Sequence, residues 1–277
     1  MSQSRWKRPW RRCSGTWQVF AGYFALSEQA PGAGLRFDRE KMGRCLDYYL
    51  SSCQPLGLLA PLGDDYASRT PAMLDGVSAP HPADVPPKWD ATVRGGAAWL
   101  AAVGGFPSTD FILHDGAAPG WTSRHHHVSG YMFMRDGWSS HSLYADFNMG
   151  HYTNCHCHYG LLGLEVAGLG REFIVDPGCS ALDPREINAN MARTRGHSTL
   201  CVDGLDQQVA VPVQTSRCFT FKHCDFAVGV YKGGYRGGNP YGPGTLGADR
   251  FDTCFSGTHF RHLLFVKGSY WVVFDAL

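Results

Sequence analysis

Residues 155–178 read CHCHYGLLGLEVAGLGREFIVDPG. Two apolar runs within them, residues 164–166 and 172–175, are typical of short strands, and the glycines between the runs are typical of a tight turn. Such a hairpin brings its two ends together, so the histidines before the first strand and Asp176 after the second should be close in space. The stretch therefore predicts antiparallel β structure with polar side chains gathered at one edge.

A similar alternation of apolar and polar residues recurs along the chain after about residue 110. Gly, Asp and Asn turns separate the runs, and short strands at regular spacing are typical of a two-sheet antiparallel sandwich. The further predicted strands are residues 131–135, 142–147, 199–202, 218–222, 226–231, 262–266 and 270–274.

Before residue 110 the hydrophobic period is helical. In residues 37–53 the apolar side chains recur every three or four positions, Asp38 can cap the start, and Gly57 lies just beyond the end. Residues 17–30 and 97–103 are two further predicted helices.

The fold class that follows is α+β. We predict a short helical segment in residues 1–110, followed by an antiparallel β-sandwich in residues 111–277. Three helices are too few for a helical domain with its own core, and no strand follows residues 270–277. We therefore expect a fragment of a longer protein, with the sandwich truncated at its C-terminus.

Composition places the chain among ordinary globular proteins. Of its 277 residues, 18% are charged and 44% apolar, and the formal net charge of +1 argues against binding nucleic acid through bulk charge. No run is long and apolar enough to span a membrane, and the basic start RWKRPWRR is not followed by the apolar region of a signal peptide. The ten cysteines form no CxxC pair, so they leave the redox compartment open.

Histidines and one aspartate are the candidate metal ligands. His156 and His158 are two residues apart, so on an extended chain both imidazoles project from the same face. Asp176 and His197 can add a carboxylate and a further imidazole, and this donor set suits Zn²⁺. The same residues could instead be ordinary hydrogen-bonded side chains, and spacing alone leaves both interpretations open. Consecutive histidines cannot all face one ion, so we expect His125–His127 to form a solvated loop.

The order of these motifs resembles the C-terminal domain of heparinase II/III-like polysaccharide lyases. Residues 156–207 carry the most specific part of the resemblance, and residues 129–138, 259–266 and 270–275 also fit that domain. Upstream, residues 37–66 are similar to the last helices of the family's α/α toroid. The shared motif reads His-x-His, a strand, a glycine turn, a second strand, Val-Asp-Pro-Gly and then RTRGHSTLxVDGxDQ.

In that family an anionic polysaccharide binds between the toroid and the sandwich and is cut by β-elimination at a uronic acid. The resemblance implies that His156 is catalytic and acts at the substrate. It also implies that His158, Asp176 and His197 bind one structural Zn²⁺, which fixes the loop presenting His156. The implied protein is a carbon–oxygen lyase of the periplasm or the extracellular space. Its implied partner is an acidic polysaccharide, with no nucleic acid and no membrane span, and a homodimer is left open.

Arginines and tyrosines near the motif are further candidates. Arg193 and Arg195 could hold a substrate carboxylate or sulfate through two hydrogen bonds, although exposed arginines in a loop often have no such role. Tyr152 and Tyr159 are near enough in sequence to act as acid or base, although each can equally be a packing residue.

The chain departs from the family pattern at two positions of the motif. Gly160 replaces an acidic or small polar residue, and Ser198 stands where the family usually has Asn. The toroid's catalytic Tyr and its neutralising Asn or His have no counterpart that the sequence identifies. The alternative function is therefore a non-catalytic carbohydrate-binding or assembly module that retains the zinc site. A third hypothesis is a metal-dependent hydrolase, in which the ion activates water.

Overall fold

The structure is a computed structural model, and it describes residues 39–60, 94, 97–98, 101, 107–114, 116–150, 158–178, 191–208, 213–236 and 254–277. The helix predicted at residues 17–30 lies outside these residues. Of the helix predicted at residues 97–103, residues 97, 98 and 101 are described, and they are helical. None of the helices in the described part of the chain has the length and apolar character needed to cross a membrane.

Helix α1 (Arg39–Ser51) confirms the helix predicted at residues 37–53. After it the chain reverses, because Cys53 forms an isolated bridge with Leu59 and Gly57 adopts a φ of 79° that few other residues tolerate. A second helix, α2 (Pro107–Leu113), packs against α1 through apolar side chains. The buried face of α1 has the helical spacing expected of an amphipathic helix and consists of Leu46, Tyr49 and Leu50.

Five antiparallel strands form the first sheet, in the order β1-β2-β3-β4-β5. The predicted hairpin is β4–β5, and its turn is made by Leu169 and Gly170, which both have positive φ, as a two-residue hairpin turn requires. The strands are β1 (Arg124–His126), β2 (Tyr131–Arg135), β3 (Tyr144–Asn148), β4 (Leu164–Gly168) and β5 (Arg171–Ile174).

A second large sheet has the order β12-β11-β8-β7, and a small third sheet has the order β10-β9-β6. One buried cluster joins the two large sheets, with Phe147 and Val166 from the first and Leu263 and Phe265 from the second. This packing of two antiparallel sheets confirms the predicted sandwich after a short helical part. The remaining strands are β6 (Asp206–Gln207), β7 (Thr215–Thr220), β8 (Cys224–Tyr231), β9 (Tyr235–Arg236), β10 (Cys254–Phe255), β11 (His259–Val266) and β12 (Tyr270–Ala276).

Helix α1 is held on the outer face of the first sheet by polar contacts. The buried Arg135 donates from Nη2 to the carbonyl oxygens of Ser51 and Cys53, at 3.2 and 2.5 Å. Arg124 forms an ion pair with Asp47 at 2.9 Å. Because a buried guanidinium group needs hydrogen-bond acceptors, Arg135 fixes where the helical segment ends on the sheet.

His125 and His126 lie in strand β1, where the sequence predicted a solvated loop, whereas His127 is exposed in the turn that follows. His126 lies in β1 and is half-buried; its Nε2 is 3.0 Å from Oγ of Ser51, and its ring packs edge-on against Tyr48 at 5.0 Å. Burial lowers the pKa of His126 to about 4. The prediction was wrong because it could not include the cover that α1 provides over this strand.

Residues 199–202 do not form the predicted strand. Oγ1 of Thr199 donates a hydrogen bond to the carbonyl oxygen of Leu161 at 2.8 Å. Regular pairing is limited to one isolated bridge between Val202 and Leu205 before β6 begins. An alternating sequence predicts which side chains share a face, but it does not show whether a neighbouring strand is present to pair with the segment.

Candidate metal centre

Three of the side chains predicted to bind a metal come together beside the β4–β5 hairpin. His158 lies in the loop before β4, Asp176 follows the end of β5, and His197 follows a short 3-10 helix, Thr194–Gly196. One potential ligand atom from each side chain lies within 4.8 Å of those from the other two. The group can therefore hold a metal ion.

The buried imidazole of His197 is oriented by Asp176. Its Nδ1 lies 2.6 Å from Oδ2 of Asp176, and its ring centroid lies 5.2 Å from that of His158. Its Nε2 is buried and has no hydrogen-bond partner among the residues that the structure describes. An ion can take Nε2 while Nδ1 stays bonded to the carboxylate, or it can take Nδ1 and the carboxylate directly. In the first arrangement Asp176 only orients the ring, whereas the second uses two imidazoles and one carboxylate, a donor set that fits Zn²⁺.

The second carboxylate oxygen of Asp176 is fixed as well. Oδ1 accepts a hydrogen bond from the amide of Gly178 at 2.9 Å, and Gly178 has a φ of 56°. Aspartate side chains commonly close turns in this way, and glycine adopts the positive φ without strain. The Asp-Pro-Gly turn thus presents the carboxylate in one orientation.

Gly160 makes room for the imidazole of His197. A Cβ atom at position 160 would lie 2.7 Å from Cγ and 2.9 Å from Cδ2 of His197. The ring cannot withdraw without losing its contact with Asp176. The departure from the family pattern at Gly160 therefore has a steric reason in this chain.

A buried glutamine that sequence reasoning missed holds the loop after His158. Oε1 of Gln207 accepts a hydrogen bond from the amide of Leu161 at 2.9 Å, and Nε2 donates to the carbonyl oxygen of Leu161 at 2.8 Å. The amide of Tyr159 donates to the carbonyl oxygen of Ala192 at 2.8 Å. These bonds join the segment of His158 to residues 192–207. The position of Gln207 at the end of the RTRGHSTLxVDGxDQ motif was the signal that could have identified it.

Negative charge is concentrated near Asp176. Asp146 on β3 is buried, and this burial, together with the charge of Asp176, raises the pKa of Asp146 well above its usual range. Oδ2 of Asp146 has no hydrogen-bond partner within the described part of the chain. A cation at this end of the sheet would favour the ionised form of Asp146, which burial and the charge of Asp176 oppose. An aspartate inside an otherwise buried strand was the sequence signal for this residue.

Of the remaining candidate residues, Arg193 and Arg195 lie within the described part of the chain. Arg193 is half-buried, and its Nε donates to Oδ2 of Asp206 at 2.8 Å, so its guanidinium is held in an internal ion pair. Arg195 is exposed. His156 and Tyr152 lie outside the described residues.

Comparison with known proteins gives matches in both sequence and structure. The family model for "Heparinase II/III-like, C-terminal" matches residues 118–277. The fold is similar to that of heparan sulfate lyase HepC from Pedobacter heparinus, with a TM-score of 0.66 and 16% identity over 95% of this chain and 37% of that chain. It is also similar to a heparinase III structure, with a TM-score of 0.63 and 13% identity over 94% of this chain and 38% of that chain. No curated protein matches the chain significantly.

The chain spans well under half the length of either of these two structures. At such low sequence identity the structural likeness shows the fold alone.

Proposed function

The chain belongs to the heparinase II/III-like family, and on that basis we propose that it is part of a polysaccharide lyase that cleaves a uronate-containing polysaccharide by β-elimination. The observation that carries the proposal is the grouping of His158, Asp176 and His197 within 4.8 Å. This group lies inside the domain that the family model matches.

The metal in this proposal is one structural Zn²⁺, held by His158, Asp176 and His197. The donor set of two imidazoles and one carboxylate supports the choice of ion. When bound, the ion ties the loop of His158 to the end of β5 and to the segment of His197. His156 is two residues before His158, so a fixed His158 restricts the movement of His156.

The proposed reaction needs a base and a group that neutralises the substrate carboxylate. The hydrogen α to the uronate carboxylate leaves as a proton, and its electron pair forms a carbon–carbon double bond. The bond to the glycosidic oxygen breaks, and that oxygen takes up a proton. Charge that develops on the carboxylate must be neutralised, and the base must be within hydrogen-bond distance of the proton. We assign His156 to this reaction centre, with the other groups supplied by the helical toroid.

An acidic polymer also needs cationic contacts. Arg193 and Arg195 both flank the proposed metal site in sequence, but Arg193 is engaged by Asp206 at 2.8 Å. We assign both Arg193 and Arg195 to a substrate carboxylate or sulfate, and the bond from Nε of Arg193 to Asp206 would orient its guanidinium group. The proposed setting is the periplasm or the extracellular space, with an acidic polysaccharide and not a nucleic acid as the partner, and a homodimer stays open.

The test is turnover by the full-length protein, with the groups of the helical toroid present, on a panel of uronate polymers that includes heparan sulfate, chondroitin sulfate and alginate. The new double bond absorbs near the ultraviolet edge, so absorbance follows the reaction. We expect activity in the native protein and none in a His156→Ala variant that still binds zinc. No absorbance change with any polymer would contradict the lyase, and cleavage without a double bond would indicate a hydrolase.

A non-catalytic carbohydrate-binding module that retains the metal site is the second candidate. It is favoured by Tyr159, the tyrosine next to His158, which is only 3% exposed and is therefore a packing residue and not one open to a polymer. Such a module would be retained on a polymer affinity gel without forming a double bond. His156→Ala would then leave retention unchanged.

A further inference from the structure

One arginine of the second sheet reaches both segments that carry the candidate metal-binding histidines. Arg261 lies on β11 and is buried. Its Nη1 donates to the carbonyl oxygen of Leu162 at 2.6 Å and to that of Ser198 at 2.5 Å. Leu162 follows His158 in the same loop, and Ser198 follows His197 directly. A single guanidinium group therefore joins the two histidine segments.

The other side of this guanidinium group is held by Asp275. Nε and Nη2 of Arg261 donate to Oδ1 and Oδ2 of Asp275 at 2.7 and 2.8 Å, which is a bidentate ion pair. Oδ1 of Asp275 also lies 2.8 Å from Nε2 of the buried His259. Arg261 and Asp275 are direct neighbours in the β11–β12 register. The direction of the arginine is thus set by paired strands and not by a flexible loop.

The loop that receives this arginine has a strained backbone. Leu162 has a φ of 59°, a conformation that non-glycine residues adopt at a cost in free energy. Its amide donates to the carbonyl oxygen of Asn148 at 2.7 Å, while its carbonyl accepts the bond from Arg261. Strained residues persist where the surrounding contacts hold them, so the path of the loop after His158 depends on these two bonds.

We propose that Arg261, oriented by Asp275, is a positioning residue of the metal centre. It sets the separation of His158 and His197, and so the affinity and coordination geometry of the ion. This inference rests on the metal site of the proposed function. Contacts that orient metal ligands typically change metal affinity by about 10–100-fold when they are lost. Lysine keeps the charge of arginine, but it lacks the planar fork that serves two carbonyl groups and a carboxylate together.

The test compares Arg261→Lys with a matched variant, Arg135→Lys. Arg135 is also buried and also donates to two carbonyl oxygens, but these belong to Ser51 and Cys53 at the end of the helical segment. Zn²⁺ affinity is measured by competition with a chromogenic chelator, at a temperature where circular dichroism shows the native fold. The visible absorption of the Co²⁺-substituted proteins reports coordination geometry.

We expect Arg261→Lys to bind Zn²⁺ about 10-fold or more weakly than the native protein and to change the Co²⁺ spectrum. Arg135→Lys should leave both unchanged. Native affinity and spectrum in Arg261→Lys would overturn the inference and leave the metal site standing. Equal losses in the two variants would also overturn it, since they would reflect general destabilisation.

A native protein that binds neither ion would overturn the proposed metal site itself, which is a distinguishable result. If Arg261→Lys does not fold, Asp275→Asn is measured in the same way, because it keeps the shape of the carboxylate and weakens only its hold on Arg261. Weaker Zn²⁺ binding by Asp275→Asn supports the inference, and unchanged binding overturns it.

Discussion

Nδ1 of His197 lies 2.6 Å from Oδ2 of Asp176, although the two residues are 21 positions apart. The contact joins the end of the β4–β5 hairpin to the segment after the 3-10 helix. Asp176 is also held by the amide of Gly178, and the ring of His197 lies against Gly160. Ligands that are fixed in this way lose little conformational freedom when they bind an ion.

We expect one Zn²⁺ per chain in protein purified without chelator, and loss of the ion in His158→Ala and in Asp176→Ala. Each change removes one donor of the set, and a site with two remaining donors holds zinc weakly. Elemental analysis measures the stoichiometry. The control is His262→Ala, because the His262 ring packs against Phe226 in the second sheet, and this variant should keep its zinc. Native protein without bound metal would rule out the site.

Removal of the ion should destabilise the fold, because His158, Asp176 and His197 come from separate segments that share it. Binding stabilises the folded protein by about 2.7 kcal/mol when free zinc is 100-fold above its dissociation constant, and this free energy is lost when the ion is removed. Thermal unfolding with and without chelator measures the effect as a drop in Tm. His158→Ala should unfold at the same Tm in both conditions. An equal drop in this variant would show that the chelator acts elsewhere.

Gly160→Ala should destabilise the protein by about 1–3 kcal/mol, because the added methyl group meets the ring of His197 at 2.7 Å. It should also weaken zinc binding. Gly43→Ala is the control, because a Cβ atom at this position of α1 has no atom within 4 Å, and alanine favours a helix by up to about 1 kcal/mol. Denaturant unfolding compares the two. A Gly160→Ala variant of native stability with normal zinc binding would contradict the close packing of His197.

Stability should decrease on acidification because of His126. Burial lowers the pKa of His126 from 6.5 to about 4, so between these values the unfolded chain takes up a proton that the folded chain does not. The contribution of His126 to the free energy of unfolding is therefore fully present above pH 6.5 and is lost as the pH falls through about 4. The free energy of unfolding changes by at most about 1.4 kcal/mol per pH unit, and partial exposure of the His126 ring makes this change smaller.

Denaturant unfolding at a series of pH values from about 7 to about 4 measures this dependence. His126→Gln keeps a polar group beside Ser51 and should have a shallower pH dependence than the native protein. His127→Gln, in which the exposed neighbour is replaced, should keep most of the native pH dependence, because burial is the largest cause of the shift at His126 and the charge of His127 a smaller one. A slope in His126→Gln equal to that of the native protein would contradict the role of His126.

Helix α1 and the β4–β5 hairpin were predictable because each depends on the local order of apolar and polar residues. Helical spacing in residues 37–53 and the glycines between the two apolar runs carried that information. The candidate donors were predictable for a chemical reason, since imidazole and carboxylate groups are the ones that bind zinc. The bond from Thr199 to the carbonyl oxygen of Leu161 joins residues 38 positions apart and left no such pattern.

Contacts between distant elements were not predictable. The ion pair of Arg193 with Asp206 could not be read from the sequence, and the steric role of Gly160 depends on where the ring of His197 lies. Arg261 is 99 positions from Leu162, whose carbonyl group it binds. The spacing of apolar residues indicates on which face of a strand a side chain lies. It does not indicate which other element will pack against that face. The sequence alone thus specifies the strands and the residue types that could bind a metal. The tertiary structure decides that His158, Asp176 and His197 lie within 4.8 Å of one another, because that depends on contacts between distant segments.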